Sequence, residues 1–212
     1  MKTMKYYLIH GIDKSRKERM LDEFQRNGID NDDVTWITYP NKDELTDELI
    51  EAVATPEAAY QLRPGQLSCT YKHYLALEDI VVNQYPVAMI IEDNIGFYNN
   101  VPQTIDKYLS QLPDDWDVLF DSNLLRYAEQ PTTADTVVYP KSNDIGGGYH
   151  GGTRGVACYL ITLQCATKLY DNYLPFGHVS DFWMNELFRR LDIKSYWTHP
   201  TNVFVAPHSS TA

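Results

Sequence analysis

Pro86-Val-Ala-Met-Ile-Ile-Glu-Asp-Asn94 is the stretch around which the chain organises itself. The apolar residues Val87 to Ile91 are bounded by a proline on one side and by two acids and an amide on the other. A run this short and this uniformly apolar fits a strand covered on both faces, as in the middle of a parallel sheet. The acids then stand at its carboxyl end, where open α/β sheets place their ligands. Oxygens from Glu92, Asp93 and Asn94 suit a hard divalent cation, Mn2+ or Mg2+, able in turn to hold a diphosphate. The plainer reading is a solvated strand end running into a turn, helped by Asn94. From these three residues alone, both readings stand.

Outward from this strand, apolar runs alternate with helical patterns, the sequence mark of an α/β sheet. Tyr6–His10 reads as a first strand. Asp13 then caps a helix with Met20, Leu21 and Phe24 on one face, closed by Gly28. Val34–Tyr39 is a second strand stopped by Pro40, and Leu45, Leu49, Ile50 and Val53 mark an amphipathic helix. Thr55 to Pro64 reads as a loop and Gly65 to about Gln84 as a longer helix. Beyond the acids, Asn94–Pro102 is turn-rich, Thr104–Leu112 helical and Asp117–Phe120 a strand. Gln130 to Thr153 reads as irregular loop with one strand near Val137. Its segment Gly146–Gly152, followed by Arg154, is either a flap over a ligand or a plain connector. A strand Gly155–Ile161, helices Leu163–Tyr173 and Asp181–Leu191, and strands Lys194–Trp197 and Asn202–Val205 complete the pattern. No repeat or linker interrupts it, so residues 1–212 read as a single α/β domain.

Composition narrows the function. The 212 residues carry 18 Lys+Arg against 29 Asp+Glu, so 18 − 29 = −11. That balance argues against duplex nucleic acid or an anionic membrane surface, which need a basic footprint. Cys69, Cys158 and Cys165 form no CxxC pair and read as small apolar fillers in a reducing compartment. The first apolar stretch stops after Ile9, too short for a signal-peptide core, and no run approaches the roughly 18 residues of a membrane-spanning helix. The expectation is a soluble cytoplasmic protein. Sixteen tyrosines stand against 7 phenylalanines and 4 tryptophans; their rings serve packing, or stack on sugars and bases.

The order of the segments resembles glycosyltransferase family 25, the lipopolysaccharide-biosynthesis and procollagen-galactosyltransferase-like group. Tyr7-Leu-Ile-His10 before Asp13, Arg16, Arg19 and Met20 is similar to that family's opening strand and Arg-rich helix start. Gly65-Gln66-Leu67-Ser68-Cys69-Thr70-Tyr71-Lys72-His73 keeps the Gly, Cys and His of its Gly-Glu-Ile-Gly-Cys-x-x-Ser-His segment, with Gln66 in place of a Glu. Ile91-Glu92-Asp93-Asn94 resembles its Leu-Glu-Asp-Asp, with an amide replacing the last acid. Asp115-Trp116-Asp117-Val118-Leu119, Gly155–Thr162 with Ala166, and Val179-Ser180-Asp181 resemble its later elements in the same order. Compact enzymes of this kind also occur in large algal (chlorella) viruses.

The resemblance implies a GT-A-type domain with a mixed, mostly parallel central sheet, a UDP-sugar donor, a glycan or protein-linked acceptor, and Mn2+ or Mg2+. Asp93 becomes the central metal ligand, with Asn94 and the late His208 as further ligands. His10, Gly11 and Ile12 at the first strand end, with Thr38 and Tyr39 at the second, are the nucleoside contacts. Glu92, Arg63 and Lys72 complete the donor contacts, the two cations facing the diphosphate. Asp181, at a helix start, is the expected base for the acceptor hydroxyl, with Asp121 in reserve. Two other readings are weighed. A nucleotidyltransferase would carry a Gly-rich basic loop after the first strand, where His10-Gly11-Ile12-Asp13 has one glycine. A non-catalytic nucleotide-sugar or glycan-binding module agrees with Asn94.

Overall fold

The computed structural model describes residues 4–121, 135, 137–141 and 155–206. Its strands are β1 (Lys5–Ile9), β2 (Val34–Ile37), β3 (Val87–Glu92), β4 (Ile95–Phe97), β5 (Val118–Phe120), β6 (Val137–Pro140), β7 (Cys158–Thr162), β8 (Ser195–His199) and β9 (Val203–Val205). The helices are α1 (Lys14–Arg26), α2 (Asp47–Val53), α3 (Pro56–Gln61), α4 (Pro64–Asn83), α5 (Val101–Leu109), α6 (Leu163–Tyr173) and α7 (Ser180–Arg190). Seven strands form one sheet in the order β2-β1-β3-β7-β5-β8-β6, and β4 pairs with β9 apart from it. β1, β2, β3, β5 and β8 share a direction, while β7 and β6 run against them. The expected mixed, mostly parallel sheet is therefore present.

Side-chain alternation explains why β1 and β3 are apolar throughout. Tyr7 and Ile9 join Ala88 and Ile90 in a core layer with Leu77 and Ile80 of α4, Leu169 of α6 and Leu187 of α7. Tyr6 and Leu8 join Met89 and Ile91 in the opposite layer, with Met20 and Phe24 of α1 and Ile105 of α5. Both faces of the sheet are thus covered, and truncating a core residue such as Ile90 to Ala costs about 2–5 kcal/mol.

Local chemistry sets the element ends. Asp13 Oδ1 accepts from Ser15 N at 2.9 Å and Arg16 N at 3.2 Å, starting α1. Gly28 ends that helix at φ +78°, where a β-carbon would stand 2.3 Å from Asn100 Nδ2. Thr55–Pro64, expected as loop, contains α3: Thr55 Oγ1 accepts from Ala58 N at 3.2 Å and Pro56 occupies the first turn. Helix α5 starts three residues earlier than Thr104, because Asn100 caps Gln103 N at 3.1 Å. The turn-rich Asn94–Pro102 contains β4, and the strand expected from Gly155 begins at Cys158. At α4, Gln66 Oε1 accepts from Arg63 N at 3.0 Å, so the residue that departs from the resemblance fixes the helix start.

Candidate functional site

The carboxyl ends of β1 and β3 open into a cavity of about 380 Å³, walled by α1 on one side and α4 on the other. His10, Gly11 and Ile12 line it from β1, Arg16 from α1, Asn41 and Lys42 from the segment after β2, Cys69 and Lys72 from α4, and Glu92, Asp93 and Asn94 from β3 onward. Two crossovers pack helices on opposite faces of a parallel pair, and this places strand ends and helix starts together.

Asp93 is 7 % exposed and fully engaged. Its Oδ2 stands 2.8 Å from His10 Nδ1 and accepts from Gly11 N at 3.3 Å, while Oδ1 accepts from Arg16 at 2.9 Å. Arg19 donates to the Asp93 and Ile95 carbonyls. Burial pushes the carboxyl pKa up, but His10, the Arg16 charge and the Gly11 N–H outweigh it and hold it below the usual range. A divalent ion on Asp93 would displace these donors and face two guanidinium groups. In this structure the donor set around Asp93 is made of N–H groups and cations, which does not suit Mn2+ or Mg2+. Asn94 Oδ1 is a buried oxygen with no hydrogen-bond partner among the described residues. Being neutral, it accepts an N–H or O–H as readily as a cation. His208 lies outside the described residues, as do Gly146–Gly152 and Arg154.

Lys72 sits on the cavity wall although it is 3 % exposed. Its Nζ donates to His10 O at 2.8 Å and Asn41 Oδ1 at 3.3 Å, both neutral oxygens. Burial lowers its pKa, against the pull of Cys69, Asp93 and Glu44. Among the described residues no carboxylate is ion-paired with it. Ser68, four residues earlier, donates to Pro40 O at 2.6 Å and ties α4 to the end of β2.

On the other flank of α4, His73 Nε2 stands 3.2 Å from Glu92 Oε1, and its Nδ1 3.0 Å from the Tyr159 hydroxyl. Cys69 Sγ donates to Glu92 Oε1 at 3.9 Å. One ligand atom from each of Cys69, His73 and Glu92 lies within 4.8 Å of the other two, a set able to hold a metal ion. Asp181, in the first turn of α7 and outside the cavity lining, accepts from Gly155 N at 3.1 Å and Phe182 N at 2.9 Å through its carboxylate. Burial raises its pKa, those two N–H groups oppose the rise, and the Glu92 charge adds to it.

The other expected contacts lie outside the cavity lining. Arg63 precedes α4 and is exposed, as are Thr38 and Tyr39, the latter at 61 %. Asp121 is enclosed away from the cavity, its Oδ1 accepting from Tyr108 Oη at 2.9 Å, Thr198 Oγ1 at 2.8 Å and Asn202 N at 2.9 Å. Desolvation pushes it up to about 6. Arg16, Cys69 and His73 were legible only as motif letters. The signal for α4 was its spacing: Ser68/Lys72 and Cys69/His73 are two i, i+4 pairs.

The sequence profile of glycosyltransferase family 25 (LPS biosynthesis protein) matches residues 4–184. Human procollagen galactosyltransferase 2 is 20% identical over 90% of this chain and 33% of its own length. A glycosyltransferase 25 family member from Aedes aegypti is 24% identical over 82% of this chain and 31% of its own. The chain thus spans about a third of the length of these relatives. Among solved structures, A197 from STIV superposes with a TM-score of 0.50 at 11% identity, covering 95% of this chain and 83% of that one, a likeness of fold alone. Helices on both faces of a mixed, mostly parallel sheet make the GT-A-type architecture expected from the motifs. With a profile match running from β1 into α7, the chain belongs to glycosyltransferase family 25.

Proposed function

We propose that the chain transfers a hexose from a nucleoside-diphosphate sugar, UDP-hexose, to a glycan or protein-linked acceptor. The observation that carries this reading is Lys72, a buried ammonium on the cavity wall that meets only neutral oxygens. Burying an ammonium without a direct ion pair is costly, and an anionic ligand in the cavity offsets that cost. Arg16 lines the same space and Gly11 has nothing within 4 Å of where a β-carbon would stand, leaving room for a phosphate. The human relative's name, a procollagen galactosyltransferase, supports a hexose as the moved sugar.

In this reading the bond from the anomeric carbon to the diphosphate oxygen breaks, and a bond from that carbon to the acceptor oxygen forms. Negative charge grows on the leaving diphosphate, and Lys72 and Arg16 stabilise it most as it develops. Asp181 takes the acceptor's hydroxyl proton; its raised pKa makes it a better base than a solvated carboxylate. Ile12, exposed on the cavity lining, is the apolar surface available to the nucleoside. No step is assigned to a metal on Asp93.

Calorimetry with UDP tests the reading. Lys72→Met, close in length and uncharged, is expected to weaken UDP at least about tenfold, the size of a charge-assisted hydrogen bond. Equal affinity in the two proteins, or no nucleotide binding at all, would sink the proposal. A second reading, a non-catalytic binding module, is favoured by one observation: Asp93 is committed to Arg16 and His10. Slow hydrolysis of UDP-hexose separates the two, since a binder leaves the donor intact.

A further inference from the structure

We infer that Cys69, His73 and Glu92 form a binding site for a borderline-soft divalent ion of the Zn2+ class. These atoms are distinct from those around Lys72, and the inference does not rest on the proposed sugar transfer.

Four observations carry it. The first is distance. Around a tetrahedral Zn2+, sulfur, nitrogen and oxygen ligands stand about 3.3–3.6 Å from one another, given bonds of about 2.0–2.3 Å. Here Nε2 and Oε1 are 3.2 Å apart, Sγ and Oε1 3.9 Å, and all three atoms lie within 4.8 Å of one another. The second is rigidity. Cys69 and His73 are four residues apart on α4 and so share one face, while Glu92 ends a central strand.

The third is the outer contact. His73 is fully buried, and the buried Tyr159 hydroxyl holds its Nδ1, with the two rings stacked at 5.8 Å. An oxygen on the far ring nitrogen is how metal-bound histidines are fixed in orientation. The fourth is charge. Neither Glu92 nor Asp181 is ion-paired with a lysine or arginine among the described residues, and each lies in the other's field. A cation at the triad supplies the missing counter-charge. Cys69 and Glu92 also line the cavity, which gives an ion access.

The donor set selects the metal. Sulfur and imidazole favour Zn2+ over Mn2+ or Mg2+, which prefer oxygen alone. As the Zn–S bond forms, the thiol proton leaves to solvent. Three protein ligands leave a fourth position, open toward the cavity, for water or a ligand oxygen.

Co2+, added alone to the full chain without nucleotide, tests the site. The expected result is one equivalent bound, with a thiolate-to-cobalt charge-transfer band that Zn2+ displaces. Cys69→Ser abolishes the band and His73→Gln weakens Co2+ at least tenfold, with circular dichroism confirming the fold. No band in the native chain, a band that survives Cys69→Ser, or unchanged affinity in His73→Gln overturns the inference. Should the variants not fold, the native chain suffices: one equivalent of Zn2+ slows alkylation of Cys69 at least tenfold by mass spectrometry, and equal rates overturn the site. Because no nucleotide is present, failure here is distinguishable from failure of the sugar-transfer reading.

Discussion

Asp93 and Glu92 are neighbours in sequence, and the alternation of the chain at the end of β3 sends them to opposite walls of one cavity. Asp93 turns to β1 and α1, where His10, Gly11 and Arg16 all engage its carboxylate. Glu92 turns to α4, where it meets an imidazole and a thiol. The first acid joins the amino-terminal strand and helix to the centre of the sheet, and its charge is spent within the protein. The second stands beside another carboxylate, Asp181, and its charge remains for something that arrives. Two identical charges thus differ in use because one wall brings cations and the other brings ligand atoms.

Removing each acid breaks or sharpens that contrast. Asp93→Ala leaves Arg16 and His10 partly buried without their anion, and the expected loss of stability is about 3–5 kcal/mol by denaturant unfolding. A loss under about 1 kcal/mol would mean that this wall is not a structural ion pair at all. A third carboxylate extends the comparison, since Asp121 is buried among neutral donors and is paired with no cation among the described residues. Its pKa rises from the ordinary 3.8 to about 6 on folding. The folded state therefore holds its proton to higher pH, so stability present below pH 4 is lost as pH rises through 6. That window is worth about 3 kcal/mol, and unfolding of Asp121→Asn should lack this slope. The smallest effect is expected at Glu92→Gln, within about 1 kcal/mol of the native chain, because repulsion from Asp181 is relieved while one oxygen still accepts. A large loss there would make Glu92 structural and erase the contrast.

Much of the scaffold was legible. Val87–Ile91 announced a central strand because a strand covered on both faces is apolar throughout, and the helix expected over Leu163–Tyr173 has those bounds, with Thr162 capping it. Helix α3 was missed because Thr55-Pro56-Glu57 is as good a turn as a helix start, and six residues give too little period to decide. The antiparallel β7 between β3 and β5 left no local mark, since strand order depends on which edges meet. At the site, Lys72 was found as a cation but not as a buried one. Asp93 was found as an acid, yet Arg16 reaches it across 77 positions of sequence, and only folding brings that guanidinium to the motif. Asp121 reads as a strand-end acid until Tyr108, Thr198 and Asn202 close over it.

Helix α4 serves both walls at once. Ser68 and Lys72 form one stripe toward β1 and the end of β2, and Cys69 and His73 form the next stripe, rotated by one residue, toward β3. Their spacing is set by a rigid rod whose later turns, at Ala76, Leu77 and Ile80, are locked in the core. A family that inherits such a rod can rewrite one stripe without re-aiming the other. Divergence in what the cavity accepts can therefore proceed in single substitutions, with the frame of the molecule left alone.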